Sequence, residues 1–212
     1  KLNKDVFGFP IQWIPKNPRW QNYVDIWTQI PLLTFVKNTV KITVVVTLLQ
    51  LFTSSFAAYA FAKMQFKGKN VLFLGYIATI AVPWQAYMVP QFMMMSSWHL
   101  NNTHLAIMCL QAFSAFGVFL MKQFYEGVPT ELCEAARIDG LSEYGIWWHI
   151  MLPLSLPALS TLTIFTFVNT WNDFLGPLIY LTKTELKTIQ IGLRMFITQY
   201  SAEYGLIMAA SV

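Results

Sequence analysis

The side chains that most often carry out enzymatic or metal chemistry are few in this 212-residue sequence and lie far apart. The cysteines and histidines form no pair at metal-ligand spacing and no HExxH or HxxxH pattern. They are Cys109, Cys133, His99, His104 and His149. We therefore expect no catalytic residue, no metal site and no cofactor.

One acidic residue, Asp173, follows Trp171 and Asn172 at the end of a long apolar stretch. An ionisable group near membrane depth is a functional candidate, because its charge is costly there. The ring of Trp171 presents a large apolar face, although tryptophan is also common at membrane interfaces. Asp173 is therefore a functional candidate, and the alternative is a cap on a kink at Gly176-Pro177.

The composition excludes a soluble domain. Hydrophobic residues make up 56% of the chain and charged residues only 11%, whereas a typical soluble domain has about 25% charged residues. So few charges would leave large apolar patches in contact with water. The net charge of +4 reflects a scarcity of both signs, so we expect no nucleic-acid partner. Disorder is also excluded, because it requires low hydrophobicity.

Four long stretches contain no Asp, Glu, Lys or Arg, and they predict membrane spans. They are residues 42–62, 71–100, 105–121 and 150–172. About 20 helical residues cross the hydrocarbon core, and backbone groups in lipid must be hydrogen-bonded internally. The runs are continuous rather than alternating, which excludes a β-barrel. A fifth apolar run starts near Tyr204, so we predict an all-α, polytopic membrane helical bundle.

Two patterns inside the spans predict local packing. Ser54, Ala58 and Ala62 recur at every fourth residue, which suits a seam of small residues for close helix packing. Small residues are also common in membrane helices, and both interpretations stay open. Pro83 and Pro90 lie in one span and are expected to kink it.

The residues 128–153, which we call the elbow, form most of the longest internal polar stretch. Pro129 and Glu131 suit the first turn of a short helix, and Gly140 suits its end. Ser142 can cap a second short helix, and Pro153 then opens the next span. The elbow is therefore predicted to be a helix–turn–helix outside the membrane.

Seven elbow residues fall at the spacing of a known motif. They are Glu134, Ala135, Ala136, Gly140, Ile150, Leu152 and Pro153. Their order and spacing resemble the EAA loop of binding-protein-dependent ABC importer permeases. The segment Trp171-Asn172-Asp173-Phe174-Leu175 is similar to that of the carbohydrate branch, which includes the maltose and multiple-sugar permeases. We predict that its first three residues contribute to a translocation path, where the ring of Trp171 can cover the apolar face of a sugar. The resemblance covers nearly the whole chain. Two parts of the family pattern are missing from it, a first span expected before Lys1 and the remainder of a truncated last span.

The resemblance implies a type-I ABC importer transmembrane domain, with about five of six spans present. It implies an outer-face arm at 1–34 and a transmembrane domain at 35–212, with a cytoplasmic coupling loop at 122–152. Counting Lys and Arg does not support this sidedness, since most of them fall outside the loops placed inside. Arg137 and Asp139 join the seven motif residues as candidates for contact with the ATPase, and a solvated face is their alternative.

The resemblance also implies the location and the partners. The location is a bacterial cell membrane, which the chain would cross several times in contact with lipid. The partners are a second permease subunit, two ATP-binding subunits and an extracytoplasmic sugar-binding protein. The substrate would be a carbohydrate. The chain contains no Walker motif, so ATP hydrolysis is expected in separate subunits.

Two other functions are weighed beside this one. The same type of transporter could carry another solute, such as glycerol phosphate. A membrane-embedded enzyme would need clustered His, Asp or Glu within the spans, and the sequence has no such cluster. For Glu134, the role of anchor in the coupling loop competes with that of a solvated helix charge.

Overall fold

The computed structural model describes residues 20–199 and 204–211, and every regular element in those ranges is helical. The α-helices are α1 (Gln21–Gln29), α2 (Leu32–Lys63), α3 (Lys69–Ala78), α4 (Trp84–Ser97), α5 (His104–Gln111), α6 (Ala115–Glu126), α7 (Thr130–Ile138), α8 (Glu143–Ile146), α9 (Leu152–Leu154), α10 (Leu156–Trp171), α11 (Leu175–Tyr180), α12 (Ile189–Gln199) and α13 (Tyr204–Ser211). Short 3-10 turns lie at Thr79–Ala81 and Thr184–Leu186, and a π-turn lies at Trp147–Met151.

Two compact units make up the chain. One contains Ile42–Leu100 and Leu105–Trp171, and the other contains the rest of the described residues. The predicted arm at 1–34 lies partly outside the described residues. Its described part is mainly helical, since no proline interrupts residues 20–30 and α1 can form there.

Among the described residues, two helices are long and apolar enough to cross a membrane, Leu32–Lys63 and His104–Glu126. They contain the predicted spans 42–62 and 105–121. The other two predicted spans fall in bent pairs of helices. The pair Lys69–Ala81 and Trp84–Ser97 bends by 101°, and the pair Glu143–Leu154 and Leu156–Trp171 bends by 80°. Residues 20–199 and 204–211 therefore contain up to four spans if each bent pair counts as one.

The first bend lies at a proline, as the sequence predicts. Val82 is extended (φ −86°, ψ 112°) because Pro83 restricts the residue before it. Pro90 lies inside α4 and does not end it. The second bend lies at Ser155, so the straight part of that span begins at Leu156 rather than at Pro153.

The seam of small residues packs α2 closely against α6. Ser54 and Ala58 are fully buried. A Cβ atom placed on Gly117 would collide with the Ser54 hydroxyl and would press on Leu162. Close helix packing is therefore observed at Ser54, the first residue of the pattern.

The interruption between α5 and α6 leaves backbone carbonyls without helical partners, and side chains from α2 satisfy them. The Gln50 amide donates to the Gln111 carbonyl at 2.7 Å, and the Thr53 hydroxyl donates to the Ala112 carbonyl at 2.7 Å. Thr166 completes the arrangement by donating to Gln50 Oε1 at 2.9 Å. Such pairing is needed in an apolar environment, where an unsatisfied carbonyl is costly.

In the other unit, the segment 181–188 is fixed by side chains outside it. Asn102 takes a left-handed conformation (φ 58°), and its Oδ1 accepts hydrogen bonds from Thr182 N and Thr182 Oγ1, both at 2.7 Å. Asn38 Nδ2 donates to the carbonyls of Glu185 and Lys187 at 2.8 and 3.0 Å. The segment is therefore held in a defined shape.

Candidate coupling site

The elbow folds as its local sequence predicts. Helix α7 ends before Gly140, whose φ of 87° is accessible to glycine at little cost. Ser142 then caps α8 by accepting a hydrogen bond from Gly145 N at 3.2 Å. The two short helices form the predicted helix–turn–helix.

Three parts of the chain meet at the carboxylate of Glu143. Arg137, in the last turn of α7, donates from Nε to Oε1 at 2.7 Å and from Nη2 to Oε2 at 3.2 Å. Tyr59, on α2, donates its hydroxyl to Oε2 at 2.5 Å. The Tyr59 side chain is buried, whereas Arg137 and Glu143 are part-exposed. Bidentate pairing with arginine and a third donor make this carboxylate the best-bonded acid of the elbow.

The pairing shifts the pKa values of both charged partners. The hydrogen bond from Arg137 lowers the pKa of Glu143 from its ordinary value of 4.5, against the opposing effect of burial. The same hydrogen bond raises the pKa of Arg137. Both groups are therefore charged at neutral pH, and the ion pair persists through physiological conditions.

A second polar contact joins α2 to the start of the elbow. Lys63, the last residue of α2, is 8% exposed, and its Nζ donates to the Val128 carbonyl at 2.5 Å. On the same helix, Phe56 packs edge-on against Trp147 with ring centroids 5.2 Å apart, and Phe52 does the same at 5.4 Å. The elbow is therefore attached to α2 by both polar and aromatic contacts.

The inner side of the elbow belongs to a hydrophobic core. Ala136, Trp147 and Met151 are buried in that core, and Ile150 and Leu152 pack against it. Cys133 is also buried, with its Sγ 3.7 Å from Met151 Sδ. Cys133 therefore packs as a small apolar residue of this core.

The outer side of the elbow is open to contact. Glu134, Ala135, Asp139 and Gly140 are exposed. The Glu134 carboxylate forms no hydrogen bond or ion pair with any residue that the structure describes. Large apolar side chains of the elbow are exposed as well, most of all Ile138 at 87%. They also include Leu132, Tyr144 and Trp148. We call this combination of two acids and apolar side chains the elbow face.

The family to which the chain belongs is decided by comparison with known proteins. A family model described as the binding-protein-dependent transport system inner membrane component matches residues 50–212. The chain belongs to this family.

Individual relatives extend the likeness over nearly the whole of this chain. The chain is 37% identical over 206 residues to the arabinooligosaccharides transport system permease protein AraQ of Halalkalibacterium halodurans, and the match covers 97% of this chain and 74% of the relative. It is 35% identical over 193 residues to the lactose transport system permease protein LacG of Rhizobium radiobacter, covering 91% and 71%.

A crystal structure of a bacterial ABC transporter involved in the import of the acidic polysaccharide alginate has the same fold. Its matching chain gives a TM-score of 0.85 at 25% identity, and the match covers 98% of this chain and 74% of that one. The predicted family, the all-α type-I importer fold and the inner-membrane location are therefore confirmed. The permease is a transport subunit that works with other ABC subunits.

The segment predicted to line the translocation path is divided between the two units of the permease. Trp171 ends α10 and stacks on Phe167 with centroids 5.6 Å apart. Asp173 Oδ1 accepts a hydrogen bond from Gly176 N at 3.1 Å, which is a local cap at the start of α11. Asn172 is exposed. The capping alternative for Asp173 is therefore supported by a contact, and the path remains a prediction.

Three polar residues of the site, Tyr59, Lys63 and Glu143, are absent from the sequence-based set. Glu143 carries a weak local signal, because it follows the Ser142 cap and suits the start of a helix. Tyr59 carries none, since it lies within an apolar span and meets a residue 84 positions away. For Arg137 the sequence predicts contact with an ATPase or solvent, and the structure shows that it binds Glu143 within the elbow.

Proposed function

We propose that the chain is a permease subunit of an ATP-driven, binding-protein-dependent importer that carries a carbohydrate into the cell. It would form half of the translocation pathway beside a second permease subunit. Two ATP-binding subunits and an extracytoplasmic sugar-binding protein would complete the transporter. The observation that carries the choice of substrate is the likeness, over more than nine-tenths of the chain, to permeases named for arabinooligosaccharides and lactose.

The elbow face is the proposed contact with an ATP-binding subunit. This rigid helix–turn–helix exposes acids and large apolar side chains, and the contact of its apolar side chains with water is costly. Ala135 is exposed and has a short side chain, so a partner backbone can approach it closely. Because α7 and α8 are fixed to one core, a push on the elbow face would be passed on rather than absorbed.

Uptake by the reconstituted transporter tests the choice of substrate. The permease, its partner permease, the ATP-binding subunits and the binding protein are placed together in liposomes, and uptake of radiolabelled arabinooligosaccharide, lactose and glycerol phosphate is measured with and without ATP. We expect ATP-dependent uptake of a sugar and none of glycerol phosphate. Uptake of glycerol phosphate alone would show the transporter class to be right and the carbohydrate to be wrong.

Labelling of single cysteines tests the elbow face and its sidedness. Cys109 is exposed and Cys133 is buried, so Cys109→Ser provides the background. In it, Ala135→Cys should react with a membrane-impermeant maleimide in inside-out vesicles, and the assembled ATPase should protect it. The matched control is Lys67→Cys, exposed in the segment that follows α2. It lies on the elbow's side of the membrane, because Lys63 just before it contacts Val128, and the ATPase should not change its labelling. Labelling of Ala135→Cys from the outer solution alone would contradict the proposal.

A further inference from the structure

One stripe of helix α2 carries the polar and aromatic contacts of that helix with the elbow. Phe52, Phe56, Tyr59 and Lys63 follow the spacing of one helix face. The first two pack on Trp147, Tyr59 binds Glu143, and Lys63 binds the Val128 carbonyl. Helix α2 is distant from the elbow in sequence, since its last residue, Lys63, lies 65 positions before Val128, where the elbow begins.

The two polar contacts hold the two ends of the helix–turn–helix separately. Lys63 reaches the entrance of α7, at Val128, while Tyr59 reaches the first residue of α8. Arg137 then ties the end of α7 to the same Glu143 carboxylate. A movement of either elbow helix away from α2 must therefore break a hydrogen bond to a charged group.

The chain itself connects the elbow only to α6 and α10. Without further contacts, a displacement of the elbow would pass directly to those two helices alone. Contacts that are part-buried and charge-assisted add a third connection, because breaking them leaves a charge or a carbonyl with poorer compensation.

We infer that Tyr59 and Lys63 form a latch that makes α2 move together with the elbow when ATP binds, with Glu143 as a positioning residue. The inference rests on the proposed function, since it assigns the path by which force from the ATPase enters the membrane. Tyr59 and Lys63 do not touch the solute or the nucleotide in this scheme. Their effect is on the amount of transport obtained for each ATP hydrolysed.

The first experiment measures the amount of solute transported for each ATP hydrolysed in the complete reconstituted transporter. Tyr59→Phe keeps the ring and removes only the donor, and Lys63→Met keeps a long unbranched side chain and removes the charged donor to Val128. The control is Tyr76→Phe. Tyr76 packs against the same core, and its hydroxyl has no hydrogen bond within the described chain.

We expect both latch variants to assemble and to hydrolyse ATP at the wild-type rate. The solute transported per ATP should fall about tenfold in each, because losing a hydrogen bond to a charged group changes an equilibrium by about that factor or more. Tyr76→Phe should keep the wild-type ratio. A ratio within twofold of wild type in both latch variants, or a parallel fall in assembly and hydrolysis, would overturn the inference.

The second experiment needs no transported solute, so it separates failure of the latch from failure of the proposed function. Nitroxide labels are placed at the exposed Leu48 on α2 and at the exposed His149 of the elbow, with Cys109→Ser as background. Their separation is measured with and without ATP in the assembled transporter. It should stay constant in wild type and change in Tyr59→Phe. A change in wild type would show that the elbow moves independently of α2.

Discussion

The packing of α2 against α6 depends on the missing side chain of Gly117, and a double-mutant cycle tests this. A Cβ atom at Gly117 would collide with Ser54 Oγ and would lie 3.1 Å from Ser54 Cβ and 3.3 Å from Leu162 Cδ1. Overpacking of this kind costs about 1–3 kcal/mol. Alanine recovers about 1 kcal/mol through its higher helix propensity. We therefore expect Gly117→Ala to lower the free energy of unfolding by about 1 kcal/mol.

Removing the Ser54 hydroxyl should reverse the sign of that effect. Ser54 Oγ is buried and has no hydrogen-bond partner among the described residues, so Ser54→Ala removes both the collision and an unsatisfied polar atom. The remaining contacts, at 3.1 and 3.3 Å, require shifts of only a few tenths of an ångström. In the Ser54→Ala background, Gly117→Ala should be neutral or stabilising. The interaction energy between the two sites should be about 1–2 kcal/mol.

Thermal unfolding in lipid nanodiscs, followed by tryptophan fluorescence, measures the cycle. A change of about 1 kcal/mol corresponds to about 2–4 °C for a chain of this size. Gly75→Ala is the control, because Gly75 also lies inside a helix and a Cβ atom placed on it would meet no other atom within 4 Å. This control variant should gain stability. Equal shifts for Gly117→Ala in both backgrounds would refute the packing argument.

Three further predictions concern other parts of the molecule. Gly140→Ala should lower the unfolding free energy by about 1–2 kcal/mol from backbone strain alone, since the site is open, and Gly140→Asn should lower it less in the same melting assay. The low pKa of Glu143 means that its contribution is complete above pH 4.5 and is lost as the pH falls through the folded-state value. The melting temperatures of wild type and Glu143→Gln should therefore differ at pH 7 and converge in acid. Gln50→Leu should cost about 1–3 kcal/mol by leaving the Gln111 carbonyl unpaired, which chemical denaturation can measure.

The elbow was predictable because its signals are local. Gly140 and Ser142 each determine the conformation within one turn of themselves, and the structure places both where the pattern requires. The membrane spans were predictable for a related reason, since the absence of charge over about 20 residues is enough to define them.

The bends and the latch depend on contacts that no local pattern encodes. Pro83 predicts a break but not an angle of 101°. The 80° bend at Ser155 follows a π-turn at Trp147–Met151, and a π-turn has no compositional signature. Tyr59 is one of several aromatic residues on an apolar helix, and only the fold brings it to Glu143.

The two alanines of the motif illustrate why a spacing pattern alone does not assign roles. Ala136 is buried in the core beneath the elbow, where a larger side chain would displace its neighbours. Ala135, next to it, is exposed on the elbow face, where the structure places no described residue that limits its size. Under the proposed function, a requirement for a small residue at position 135 comes from a surface outside this chain, whereas the packing requirement at 136 comes from within it. Burial thus separates an alanine that packs in the core from one that is available for the proposed contact.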